Sequence, residues 1–126
     1  MQELRRESGV SSPSVFFNPQ DGLLEIGGES YPENSFEFYS PLAEWLRQFL
    51  AEGPAHVLFR VTLTYLNTSS TKCMIDMLEE LQAAFSRGTG VSVEWYYDVD
   101  NARARETIEE FREDFSMPFE VLPRSY

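Results

Sequence analysis

Residues His56 to Lys72 read HVLFRVTLTYLNTSSTK, and their two successive periods decide the fold. Val57, Phe59, Val61, Leu63 and Tyr65 alternate with Leu58, Arg60, Thr62 and Thr64, the two-residue period of a strand with one apolar face. From about Ser70 to Arg87 a helical period takes over, with Met74, Met77, Leu78, Leu81 and Phe85 on one stripe, until Gly88-Thr89-Gly90 ends it. A strand that passes directly into a helix is the unit of a parallel sheet, because parallel neighbours need a crossover connection.

The same alternation continues outward. Val91, Val93, Trp95 and Tyr97 alternate with Ser92, Glu94, Tyr96 and Asp98, which predicts a second half-buried strand. Asp98 or Asp100 can cap a third helix carrying Ala104, Ile108, Phe111 and Phe115, and Pro118 introduces a short closing strand, Phe119 to Leu122. Upstream, Ser40-Pro41 reads as an N-cap with proline at the first helical position; Leu42, Trp45, Leu46, Phe49 and Leu50 then recur at helical spacing as far as Gly53-Pro54. Ser14 to Asn18 and Leu23 to Ile26 are short apolar runs joined by Pro19-Gln20-Asp21-Gly22, the signature of a hairpin. Met1 to Ser12 is polar and offers nothing to pack, so residues 1–12 are expected to be a flexible arm and residues 13–126 a single domain.

The expected order is therefore β-β-α-β-α-β-α-β, an α/β fold with a mixed, mostly parallel open sheet. Parallel strands covered on both faces read as continuous apolar runs, whereas the long strands here alternate. All the helices should then pack on one face, leaving Arg60, Thr62, Thr64, Glu94 and Tyr96 on the other. An open sheet with helices on one side is also the architecture of STAS domains, an analogy of element order that carries no function by itself.

Composition narrows the function. The chain has 126 residues, 42% of them hydrophobic and 14% aromatic, enough for one packed core. Ten Lys and Arg against 21 Asp and Glu leave a formal charge of −11 with no basic cluster, which argues against nucleic acid and membrane surfaces as partners. Cys73 is the only cysteine and His56 the only histidine, too few for an internal disulfide or a soft-ligand metal site, and no cofactor is expected. No apolar run approaches the ~20 residues that span a bilayer, and the N-terminus lacks a signal-peptide core, so a cytoplasmic protein is expected.

Catalytic constellations are missing. His56 opens a strand, Cys73 sits among helix apolar residues, and Gly27-Gly28 lacks the spaced glycines and lysine of a phosphate loop. Glu106, Glu109, Glu110, Glu113 and Asp114, interleaved with Arg103, Arg105 and Arg112, read as a solvated helix face. The expectation is a protein that is not an enzyme.

Two polar stretches stand out. Asn67-Thr68-Ser69-Ser70-Thr71 places four hydroxyls and an amide where a central strand hands over to a helix, at the carboxyl end of the sheet where ligand sites gather. One N-cap needs one such side chain, and capping alone accounts for the pattern in its simplest form. A phosphate there would also be physically tolerable, since it would add roughly −1.5 to −2 charge beside the positive end of the helix dipole. Glu29 to Ser35 is the second stretch, and on its own it reads as a connecting loop.

Together these stretches carry a resemblance. Ser30-Tyr31-Pro32-Glu33-Asn34-Ser35, then Tyr65-Leu66-Asn67-Thr68-Ser69-Ser70, then Phe111-Arg112-Glu113-Asp114 with Pro118-Phe119 beyond, resemble the SiaC family of bacterial regulatory phosphoproteins over roughly residues 15 to 122. The resemblance implies a STAS-like domain, similar in fold to anti-sigma factor antagonists, that works by partner switching. It implies that a dedicated Ser/Thr protein kinase phosphorylates the threonine of Asn-Thr-Ser-Ser, Thr68 here, and that a PP2C-type phosphatase reverses this. The unphosphorylated form would bind and activate a GGDEF diguanylate cyclase, raising cyclic di-GMP and favouring biofilm or aggregate formation. Asn67, Ser69 and Ser70 would surround the phosphosite, with Tyr31, Glu33 and Asn34 supporting it or the partner surface. Two alternatives remain: an anti-sigma factor antagonist in transcriptional control, using the same Thr68, and a small cofactor-free enzyme.

Overall fold

The structure, a computed structural model, describes residues 1–126. Its elements run β1 (Leu4–Arg6), β2 (Ser14–Asn18), β3 (Leu23–Ser30), α1 (Ser35–Ala51), β4 (His56–Leu66), α2 (Thr68–Ser86), β5 (Gly90–Asp98), α3 (Ala102–Glu113) and β6 (Phe119–Arg124). All six strands lie in one sheet in sequence order. β1 to β3 pair antiparallel; β3 to β6 pair parallel, each parallel step made by one helix. This is the expected α/β fold with a mixed, mostly parallel open sheet, plus one strand at its start.

Alternation along the strands sorts the two faces. Leu24, Ile26, Phe59, Val61, Val93 and Trp95 are buried in a single core with Leu42, Leu46, Met77, Leu78, Leu81 and Ile108 of the three helices. The opposite face carries polar groups, and Arg60 lies across its middle, 3.5 Å from Glu25 and 3.2 Å from Glu94 on the flanking strands. The one-sided arrangement of helices read from the alternation is the observed one.

Four local expectations change. Leu4–Arg6 is a short edge strand, not part of a loose arm: Leu4 pairs with Phe17, the Arg5 guanidinium lies 4.3 Å over the Phe16 ring, and Trp45 Nε1 donates to the Gln2 carbonyl at 3.0 Å. Three residues are too few to show a period, and what holds them is distant in sequence. α1 begins at Ser35, not at Pro41, because Asn34 Oδ1 accepts from the Glu37 amide at 3.0 Å; Pro41 sits on the solvent side and removes one backbone bond from the helix. α3 is capped by Asn101 through the Ala104 amide, while Asp98 accepts instead from the Asp100 amide. Tyr65 leaves the apolar row. The β3–β4 register slips between Gly28 and Glu29, so that Glu29 pairs with Tyr65 and Thr64 is skipped, and the tyrosine is exposed.

Candidate functional site

α2 starts at Thr68, two residues before the periodicity suggested, because Asn67 is a complete N-cap. Its backbone is extended, and its Oδ1 accepts from the Ser70 amide at 2.9 Å. The Asn67 amide in turn donates to the Ser30 carbonyl at 3.0 Å, which ties the start of α2 to the end of β3. The two polar stretches singled out in the sequence thereby become one site.

Their hydroxyls form a continuous chain. Tyr39 OH lies 2.7 Å from Ser30 Oγ, Ser30 Oγ donates to Ser70 Oγ at 2.9 Å, and Ser70 Oγ lies 3.2 Å from Ser35 Oγ. Ser35 Oγ is 2.7 Å from Ser69 Oγ, which donates to Asn67 Oδ1 at 3.3 Å. Each hydroxyl has a single proton. Ser69 gives its proton to Asn67, so Ser35 must donate to Ser69, Ser70 to Ser35, Ser30 to Ser70 and Tyr39 to Ser30. The chain thus runs one way, from the core to the helix cap, and no buried side-chain polar atom is left unpartnered. Burial pushes the Tyr39 phenol up to about 12, the Ser30 bond opposing the shift only in part, so Tyr39 stays protonated as the donor that begins the chain.

Thr68 stands outside this chain. Ser69, Ser70 and Thr71 are each engaged, Thr71 through its Oγ1 to the Asn67 carbonyl at 3.0 Å, whereas the Thr68 hydroxyl is exposed and takes part in none of these bonds. It occupies the first residue of α2, beside amides that the helix itself leaves free.

Tyr31 is the link to the N-terminal segment. Its amide donates to the Ser11 carbonyl at 2.8 Å, its hydroxyl donates to the Val10 carbonyl at 3.0 Å, and its ring packs edge-on against Tyr65 at 5.8 Å. Asn34 is consumed as the α1 cap. Glu33 is exposed and, with Asn34, Ser35, Ser69 and Arg6, lines an open cavity of about 960 Å³ between the first turns of the two helices and β1. The surface around the junction is aromatic: Tyr31, Tyr65 and Phe36 are 39%, 52% and 75% exposed.

Sequence reasoning did not assign Ser30, Ser35 or Tyr39 to the site. Ser30 is a polar residue closing a strand, and Tyr39 follows Ser35 by one turn on the buried side of α1. None of these positions announces a bond to a residue across the fold. His56 lies apart from the hydroxyl chain, whereas Cys73 follows Ser70 by three residues on α2 and lies close enough to Tyr39 to act on its charge; burial, with Asp76 nearby, pushes the Cys73 thiol up, away from the range of a reactive thiolate. No group of three or more His, Cys, Asp or Glu is placed to hold a metal ion, and no helix is long and apolar enough to cross a membrane.

The chain has relatives of known family and fold. The profile of the SiaC family of regulatory phosphoproteins matches residues 6–124. An uncharacterised protein of Pseudomonas aeruginosa (strain UCBPP-PA14) is 42% identical over 121 residues, 96% of each chain. The crystal structure of apo-SiaC from Pseudomonas aeruginosa superposes with a TM-score of 0.92 at 41% identity, over 97% of this chain and 99% of that one. SiaC in the crystal structure of the diguanylate cyclase SiaD with its activator SiaC, from the same organism, gives a TM-score of 0.93 at 41% identity, over 96% and 99%.

Proposed function

The chain belongs to the SiaC family of regulatory phosphoproteins, and on that footing we propose that it acts by being bound, modified and released, without catalysis of its own. A Ser/Thr protein kinase transfers the γ-phosphoryl group of ATP to Thr68 Oγ1 with ADP leaving, and a PP2C-type phosphatase hydrolyses the ester. The unphosphorylated form binds and activates a GGDEF diguanylate cyclase in the cytoplasm, raising cyclic di-GMP and promoting biofilm formation. The observation that carries this reading is the isolation of Thr68: of four consecutive hydroxyls at the junction, three are tied into the fold and one is free at the surface. A similar chain, 41% identical, occurs as activator in a complex with a diguanylate cyclase, which supports the choice of partner.

Phosphate on Thr68 acts through charge. It adds roughly two negative charges to a surface that must be desolvated for docking, on a protein whose formal charge is already −11. Tyr31, Tyr65 and Phe36 supply the apolar contact around it, and Glu33 and Asn34 shape its rim. Asn67, Ser69 and Ser70 fix the acceptor at the first turn of α2.

The test combines two measurements. Incubation with ATP and the cognate kinase, followed by intact mass and fragmentation, is expected to place one phosphate on Thr68. In binding and cyclase assays Thr68→Ala should keep the activator function and Thr68→Asp should lose it. Phosphate confined to Ser69 or Thr71, or equal cyclase activation by both variants, overturns the reading.

A further inference from the structure

Lys72 is the only lysine in the chain. It stands in the second turn of α2, four residues after Thr68, so the two side chains share one helix face with Cβ atoms about 5–6 Å apart. Both are exposed. Arg5, Arg47, Arg60 and Arg105 each have a carboxylate within ion-pair distance; Lys72, like the other five arginines, has none, although Asp76 follows it by one further turn. The first turn of α2 also lacks the acidic residue that Glu37 supplies to α1, so the positive end of its dipole faces no fixed negative charge.

We propose that Lys72 is the intramolecular counter-charge of phosphorylated Thr68: the phosphate closes an i,i+4 ion pair with the Lys72 ammonium along α2. The inference rests on Thr68 being the acceptor. A phosphoryl group on Oγ1 extends the threonine by a tetrahedral dianion with three strong acceptor oxygens, and an ammonium one turn onward has three donors and a flexible stem to meet it. Other charged groups at the junction are Asp76 on α2, Glu29 at the end of β3, Glu33 and Glu37 at the start of α1, Arg6 on β1, and Arg103 on α3; Glu33, Glu37 and Arg6 line the cavity shared with Ser69, and Arg103 lines a second one with Leu66 and Thr71. The carboxylates repel the phosphate. Arg6 and Arg103 are the competing cations: Arg6 reaches its cavity from the sheet edge and Arg103 stands across a cavity on α3, whereas Lys72 shares the helix face of Thr68. Phosphorylation therefore changes the docking surface twice over, adding a dianion and withdrawing the free lysine from any carboxylate of a partner.

The experiment uses full-length protein with phosphothreonine at position 68, made by the kinase or installed by genetic encoding. In ³¹P NMR titrations the second phosphate pKa, ordinarily about 6, should be lower in the wild type than in Lys72→Gln by about 0.4 pH unit. Lys72→Arg should restore the lower value, and Arg6→Gln and Arg103→Gln should each leave it unchanged. Lysine-selective ¹⁵N labelling gives one side-chain resonance, which should shift on phosphorylation of the wild type. Equal phosphate pKa values in wild type and Lys72→Gln, or a shift that follows Arg6 or Arg103 instead, overturn the assignment. Failure of the kinase to modify Thr68 counts against the proposed function, while the encoded phosphothreonine still decides the role of Lys72.

Discussion

Ser35 Oγ and Ser69 Oγ lie 2.7 Å apart, joining the first turn of α1 to the first turn of α2. Two helix starts separated by a whole strand in sequence are thus held as neighbours, and Thr68 is carried on the structure they make.

The chain of hydroxyls should have an energetic order. Ser70→Ala removes a fully buried hydroxyl that serves Ser30 and Ser35, and is expected to lower stability by about 1–3 kcal/mol in urea unfolding. Thr68→Ala should stay within about 0.5 kcal/mol of wild type, because its hydroxyl is exposed and holds nothing. A Thr68→Ala variant as unstable as Ser70→Ala would show that Thr68 belongs to the scaffold.

Alkaline pH should act through Tyr39. Its pKa is raised in the folded protein from 10.0 to about 12, so the native state keeps a proton that the unfolded state loses. The associated stability is present below pH 10 and is lost as pH rises toward 12, about 3 kcal/mol in all. Tyr39→Phe is expected to be less stable at neutral pH by about 1 kcal/mol, through the lost bond to Ser30. Its stability should also fall less between pH 10 and 12. Parallel pH profiles for the two proteins would contradict this.

Gly22→Ala should be severe. Gly22 has φ 65°, which side chains rarely adopt, and an added Cβ would press on the His56 carbonyl, a backbone atom that cannot step aside. Loss of more than about 2 kcal/mol by thermal or urea denaturation is expected. Gly53→Ala, at φ 71° with open space around it, should lose only about 1 kcal/mol.

Deleting residues 1–6 removes β1 and the acceptor of the Trp45 indole, and leaves β2 as the sheet edge. Lower stability and concentration-dependent self-association are expected, read by denaturation and by sedimentation. An unaltered monomer with wild-type stability would mean that β1 adds nothing to the sheet.

The long strands β4 and β5 were legible because each has one buried face, and burial on one face writes a period of two into the sequence. The start of α1 was not, since Ser40-Pro41 imitates a helix start more strongly than Asn34 announces one, and only the bond from Glu37 to Asn34 separates them. β1 was invisible for a different reason: Arg5 on Phe16 and Trp45 on Gln2 are tertiary contacts with no local signature. The site divides in the same way. Asn67 to Ser70 is visible as a cluster of capping residues, but the bonds that separate Thr68 from its neighbours join Ser30 to Ser70 and Ser35 to Ser69 across 40 and 34 positions. No window of sequence contains both ends.

That long reach has a consequence for recognition. Asn-Thr-Ser-Ser is only four letters in a nascent or heat-opened chain; it becomes a surface with one free hydroxyl when β3, β4 and both helix starts have come together. An enzyme that selects Thr68 by this surface takes a folded molecule as its substrate, and passes over one that is not.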